Sequence, residues 1–329
     1  MSMMTALDEM GIRVDGESSS MFFARQLEHV KGQAYDVIRA PLRAFELLPV
    51  SSEAEAGAES IVYNQFDMTG IAKVIANYAD DLPRADVKGK QFVARVKSIG
   101  NAYGYSVQEV RNAQMAGRNL EQRKANAAAR AQREAWNKIA FFGDDANGLQ
   151  GWLTNTNIPS SAVVDDGGKA LGEAGGDTEF DKKTPEQILR DLNDLANTIV
   201  EDTHGAEQPN TVALPIKQYT KIASTRAADG TDTTILEYFI QNNPFIERVE
   251  WANELASSQL DDNLDSNPFT GDIMIAYNND PDKLTLEMPQ MFEQFPVQER
   301  NLAFVVPCHS RIAGVIVYYP LSMRIAEGI

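Results

Sequence analysis

Apolar positions along the chain change period several times, and each change marks an element. From Gln91 to Lys97 they alternate, with Phe92, Ala94 and Val96 on one side and Val93, Arg95 and Lys97 on the other. That two-residue period is the signature of a strand. Upstream, Ile61-Val62-Tyr63 and then Ile71, Val74 and Ile75 are rich in β-branched residues, which favour extended backbone. Between these runs Asp80-Asp81, Pro83 and Gly89 carry turn chemistry. Residues 57–98 therefore predict a long two-stranded β ribbon with an irregular tip. Two strands alone are marginal in water, so this ribbon requires a partner surface. Its charged tip residues, Asp80, Asp81, Arg84, Asp86, Lys88 and Lys90, are the candidates for meeting opposite charges on a neighbour.

The period then lengthens. Ser106-Val107-Gln108-Glu109 is a capping box, in which the hydroxyl and the carboxylate satisfy free amides at a helix start. No proline falls between Val107 and Phe142, and Gly143 is placed to end the helix in the left-handed region. A helix over 106–142 would be roughly 50 Å long at the usual rise. Its apolar stripe is thin: Val107, Val110, Leu120, Ala127, Ala131, Ala135 and Ile139. A stripe of that kind suits a helix lying across a surface. The alanine face of Ala127, Ala131 and Ala135 is expected to pack closely on β structure from the tail.

Downstream the pattern mixes. Thr184-Pro185-Glu186-Gln187 is a second capping box with proline at the first helical position, followed by a buried face of Ile188, Leu189, Leu192, Leu195 and Ile199. Strands are expected at Thr211–Leu214, Ile246–Trp251 and Asp272–Tyr277, and short helices at 215–224 and 234–241. Residues 154–183 read as loop. The tail beyond 286 reads as strand throughout, with runs at Leu302–Val306 and Ile312–Tyr319. Residues 1–56 read as an arm: a short helix within 21–38, interruptions at Pro41 and Pro49, then the small polar run 51–58. The fold class is α+β.

Composition narrows the chemistry. The chain has 329 residues, of which 43% are hydrophobic, and a net charge of -17. An acidic chain repels phosphate, so tight nucleic-acid binding is not expected, although lying beside DNA is compatible with it. Arg118, Arg123, Lys124, Arg130 and Arg133 on the long helix resemble an RNA-binding stripe. With this net charge they are read as a solvated face or as interface salt bridges. No apolar run is long enough to cross a membrane, and Met1 to Asp15 lacks the pattern of a secretory signal.

A phosphate-cradling glycine loop, a serine nucleophile elbow and a paired-histidine metal motif are all missing. Cys308-His309 is the one enzyme-like pair, but adjacent strand residues point to opposite faces, so Cys308 is read as a small core residue. Asp261-Asp262-Asn263-Leu264-Asp265-Ser266-Asn267 places oxygens at alternate positions as calcium loops do. Ser266 stands where the sharp-turn glycine belongs and Asp272 where the bidentate glutamate belongs. It is read as a solvated acidic loop. No catalytic residue, metal or cofactor is expected.

Two stretches carry a resemblance. One runs Trp136-Asn137-Lys138-Ile139-Ala140-Phe141-Phe142-Gly143 and continues to Gly148-Leu149-Gln150-Gly151-Trp152. The other runs from Asp280-Pro281-Asp282-Lys283-Leu284-Thr285-Leu286-Glu287 through Phe295-Pro296-Val297-Gln298-Glu299-Arg300 and Val306-Pro307-Cys308-His309-Ser310-Arg311 to Gly314-Val315-Ile316-Val317-Tyr318-Tyr319-Pro320. Together with the order of arm, ribbon, long helix, mixed domain and β tail, they resemble the tailed-bacteriophage major capsid proteins of the Hong Kong 97-type fold.

The resemblance implies an N-terminal arm over 1–56 and an E-loop over 57–98 reaching across a neighbouring subunit. It implies a peripheral domain over 99–184 with its spine helix at 106–142, an axial domain over 185–285, and a β segment over 286–329 returning to the peripheral domain. It implies self-assembly into hexamers and pentamers of an icosahedral virion head, made in the host cytoplasm. Portal, scaffold or cement proteins would be partners, packaged double-stranded DNA would be held non-specifically, and no membrane would be involved. An encapsulin-like compartment shell is the alternative on the same fold, and a thiol enzyme using Cys308 is a third reading from a different class.

Overall fold

The structure, a computed structural model, describes residues 38–70, 85–115, 120–228, 230–264 and 266–329. Residues 1–41 and 42–329 are separate units. The helix expected within 21–38 lies outside the described residues apart from its last position. The second unit opens with α1 (Ala44–Leu47) and the two-residue β1 (Val50–Ser51). These belong to the body and not to a free arm: Ala44, Leu47 and Leu48 are buried, and Val50 and Ser51 run parallel beside Leu286 and Glu287.

The expected ribbon forms from β2 (Ser60–Thr69) and β3 (Asp86–Arg95), antiparallel, with Tyr63 opposite Phe92 and Asp67 opposite Lys88. β4 (Lys97–Ser106) follows directly. The first capping box forms as read: Glu109 N donates to Ser106 Oγ at 3.1 Å, and Ser106 N donates to the Glu109 carboxylate at 3.0 Å. The long helix is described as α2 (Val107–Met115) and α3 (Leu120–Phe142), with 116–119, and hence Arg118, outside the described residues. Gly143 ends α3 at φ 71°, where an added Cβ would lie 2.6 Å from the backbone of Gly151 and Leu149. Only glycine fits that crossing.

The register of α3 differs from the expectation. Ala127 and Ala131 are exposed and Ala135 is half-buried. The face toward the sheet is Lys124, Ala128, Gln132, Trp136 and Ala140, a ridge of fourfold spacing. Lys124 Nζ donates to Gly104 O at 2.7 Å, Asn101 Nδ2 to Ala128 O at 2.8 Å, Gln132 Nε2 to Asn101 Oδ1 at 2.9 Å, and Trp136 Nε1 to Ser310 Oγ at 3.0 Å. The inward face is thus polar over its first half and closes on the large indole of Trp136. Apolar periodicity alone misses a face that meets the sheet through hydrogen-bonding groups.

The rest of the chain supplies β5 (Ser160–Ala162), α4 (Pro185–Asp202), β6 (Thr211–Leu214), α5 (Ile216–Ser224), α6 (Ile235–Asn242), β7 (Arg248–Trp251), α7 (Ser257–Asn263) and β8 (Ile273–Tyr277). β9 (Leu284–Glu287), β10 (Gln290–Gln294), β11 (Gln298–Arg300), β12 (Ala303–Ile312), β13 (Gly314–Val317) and β14 (Met323–Glu327) complete it. The second capping box also forms, Gln187 N donating to Thr184 Oγ1 and Thr184 N to Gln187 Oε1. The stretch read as an acidic loop is half helix: Asp261, Asp262 and Asn263 close α7, and Asp265 lies outside the described residues. Helical backbone there is incompatible with the successive turns of a calcium loop.

Two sheets organise the body, beside a three-stranded one of order β1-β9-β13. In one, β12 pairs along its whole length with β4, and its other edge carries β10 and β11. The other has strand order β5-β14-β8-β6-β7. The tail therefore does not stay wholly with the long helix, since its last strand lies between β5 and β8. β8 is buried on both faces. Ile273, Ile275 and Tyr277 enter the core shared with Trp136, Phe141 and Trp152, while Met274 and Ala276 enter a second core with Ile188, Leu192 and Ile199 of α4. The loop before α4 is tied down by charge: Lys183 pairs with Asp191, both buried, and Arg190 pairs with buried Asp166. The Arg190 hydrogen bond holds the Asp166 carboxyl well below the usual carboxylate range.

The α3 register makes a direct prediction for the isolated subunit. Ala128→Arg overfills the contact with β4 and buries a charge, an overpacking cost of about 1–3 kcal/mol or more, whereas exposed Ala131→Arg stays within about 0.5 kcal/mol. Urea unfolding of the two variants checks this, and equal midpoints would place the sheet-facing ridge elsewhere.

Candidate assembly surface

Cys308 and His309, the one enzyme-like pair read from the sequence, do not converge. Cys308 lies on β12 at 2% exposure, its Sγ donating to Val306 O at 3.8 Å. His309 faces the other side of the sheet, its ring 6.3 Å from that of Phe295. Burial pushes the Cys308 thiol up, which disfavours the thiolate a nucleophile needs. Among the described residues no group of three or more His, Cys, Asp or Glu is placed to hold a metal, and no helix is long and apolar enough to cross a membrane.

The unusual surface is the ribbon. Strand alternation divides its side chains into two faces. One face carries Ile61, Tyr63, Gln65 and Asp67 with Lys88, Lys90, Phe92 and Ala94. Its root is anchored: Tyr63 stacks on Phe92 at 5.1 Å and meets Tyr318 of the body edge-on at 5.0 Å. Lys90 Nζ sits 4.8 Å from the centre of the Phe92 ring. The opposite face carries most of the ribbon's exposed apolar side chains, with the Asn64–Gln91 pair among them and Arg95 at its root. Val62, Phe66 and Met68 of β2 and Val87 and Val93 of β3 all point that way, with exposures from 48% at Val62 to 82% at Met68. Phe66 lies over Gly89 on the partner strand, where an added Cβ would be 3.0 Å from the ring. Five large apolar side chains on one face of a two-stranded ribbon, in two groups separated by the Asn64–Gln91 pair, are exposed apolar surface of the kind that marks an interaction site.

The charges expected at the tip divide. Asp80, Asp81 and Arg84 lie outside the described residues. Asp86, Lys88 and Lys90 lie along β3, the Asp86 carboxylate accepting from Val87 N at 2.9 Å. Sequence reading singled out these charges and missed the apolar stripe beside them. The signal was present: β-branched and aromatic residues at alternate positions of both strands, aligned once Asp67 is set opposite Lys88. On the long helix, Ala127, Ala131 and Ala135 are not brought against the tail. Lys124 and Arg130 are engaged within the chain, by Glu109 at 3.1 Å and Glu134 at 2.9 Å.

A projecting ribbon, a long helix laid on a four-stranded sheet and a separate five-stranded sheet are the parts of the Hong Kong 97-type fold. The sequence profile described as major capsid protein matches residues 70–329, and the chain belongs to that family. The capsid of Myoviridae phage XM1 superposes with a TM-score of 0.78 at 16% identity, over 95% of this chain and 100% of that one. The capsid of a native GTA particle gives 0.62 at 12% identity, over 95% and 97%. A virus-like particle from Pyrococcus furiosus gives 0.52 at 13%, over 86% and 91%. No curated protein matches the sequence.

The burial of Cys308 sets an expectation for its reactivity. In the folded subunit its thiol should react with a soluble disulfide reagent at least about tenfold more slowly than in denaturant. Equal rates in a timed absorbance assay would show an accessible, activated thiol.

Proposed function

We propose that this chain is the shell subunit of a tailed-phage head. Copies join as hexamers and pentamers into an icosahedral container for double-stranded DNA, and residues 57–98 clasp an adjacent subunit. The observation that carries the reading is the ribbon's apolar face. Burying a side chain such as Phe66 or Val93 is worth about 1.5–3 kcal/mol, and the described body offers that face no cover. A neighbouring copy is the natural supplier, because head-to-tail contacts repeated around a ring close a shell. Membership of the major capsid protein family supports the same reading.

In this assignment residues 1–56 are the arm, its end built into the body. Residues 99–184 form the peripheral domain and 185–285 the axial domain. Residues 286–329 return to the peripheral sheet before β14 crosses into the five-stranded one. The subunit works by assembly and not by catalysis, needs no cofactor, and resides in the virion after synthesis in the host cytoplasm. Its acidic charge suits a wall that holds DNA without binding it tightly. Portal, scaffold or cement proteins are the further partners this role implies. Nothing among the described residues favours the compartment-shell alternative over the phage head.

Phe66→Asp with Val93→Asp tests the clasp. Both positions are exposed in the free subunit, so unfolding should shift by no more than about 0.5 kcal/mol per site. Closed particles, counted by electron microscopy after purification, should be lost. Particles of normal yield and size from the double variant would refute the clasp.

A further inference from the structure

Two clefts of about 520 Å³ each flank the root of the ribbon, sharing Tyr63, Gln65 and Tyr318 as the wall between them. Their charges are opposite. The first opens between β3, the turn around Gly148 and β13, and carries Lys90 and Arg95 with the amides of Asn155 and Asn157. No carboxylate is among its described lining residues, in a chain that has 47 Asp and Glu. Both cations are exposed; Lys90 rests over the Phe92 ring, and Arg95 lies along Gly148. Neither has an ion-pair partner among the described residues.

The second cleft opens on the other side of the ribbon, toward β1 and β9. Glu53, Asp282 and Glu287 line it, with no lysine or arginine among its described lining residues. The nearby Lys283 is already engaged, by Glu207 at 2.6 Å and over the Tyr319 ring. Glu53 and Asp282 are exposed; Glu287 is buried and accepts from Thr285 Oγ1 at 2.9 Å.

We propose that these clefts are the two halves of one head-to-tail contact, in which the carboxylate side of one copy, at Glu53 and Asp282, meets the Lys90–Arg95 side of the next. The inference rests on the self-assembly reading and adds the electrostatic register of the contact. A heterologous interface uses two different patches of one chain, and these patches are complementary in charge and lie on opposite flanks of the same element. Complementary charge steers encounter and penalises wrong registers more than it adds affinity. That is the role a repeated contact needs if it is to form in only one way. Nucleic acid is disfavoured as the occupant of the first cleft because the acidic flank shares its wall.

The test is charge reversal with rescue in the full-length chain. K90E/R95E sets acid against acid, and E53K/D282K sets base against base. Each should reduce closed particles at least about tenfold at low salt. The four-fold variant K90E/R95E/E53K/D282K reverses both halves and should restore particles. Circular-dichroism melting of each free subunit confirms that these exposed substitutions leave the fold intact. Particles from either reversed variant at the yield of the unaltered chain would overturn the pairing. So would loss in both without restoration in the combined variant. If the unaltered chain formed no particles, it is the self-assembly reading that would fail. A misfolded reversed variant is replaced by the neutral K90Q/R95Q, which should steepen the loss of particles with added salt; an unchanged salt profile would overturn the proposal.

Discussion

A two-stranded antiparallel ribbon satisfies its backbone along the paired edges but cannot cover both faces of its side chains. Here the root solves half of that problem. Tyr63, held between Phe92 and Tyr318, ties one face to the body, and Lys90 shelters the same ring. The other face keeps Val62, Phe66, Met68, Val87 and Val93 in solvent. Nothing among the described residues covers that apolar surface, and in the proposed clasp a neighbouring copy covers it. In the proposed reading the subunit is a folded body with one element left for its neighbour to complete.

The body is built to hold that element in a fixed direction. β3 passes into β4 through the single residue Val96, and β4 is paired over ten residues with β12. α3 lies across the same sheet, fixed by hydrogen bonds at Asn101, Gln132 and Ser310 and then by the apolar end at Trp136, Ala140 and Phe141. Trp152 and Tyr277, in edge contact at 4.7 Å, carry that core into the five-stranded sheet. A ribbon rooted in such a frame can transmit its orientation to the body, which a loop on a flexible hinge cannot.

Much of this was legible in the sequence because it is local. Both capping boxes, the glycine that ends the long helix and the two-residue period of β3 depend on neighbours within a few positions. The failures are long-range. The sheet-facing ridge of α3 depends on Asn101 and Ser310, 27 and 174 residues from the groups they meet, so alanine content pointed to the wrong face. The placement of β14 between β5 and β8 depends on pairings with 160–162 and 273–277, which no local period encodes. The ribbon's apolar face was hidden for a related reason. Alternation gives two faces per strand, but which faces coincide across two strands follows only from the register.

The central claim is that the ribbon is completed by a neighbour, and amide hydrogen exchange measures this most directly. Peptides spanning Ser60–Thr69 and Asp86–Arg95 should exchange rapidly in the free subunit and slowly in closed particles, while β8 is protected in both. Equal exchange of the ribbon in the two states would mean that assembly leaves its apolar face uncovered, and the account would be contradicted.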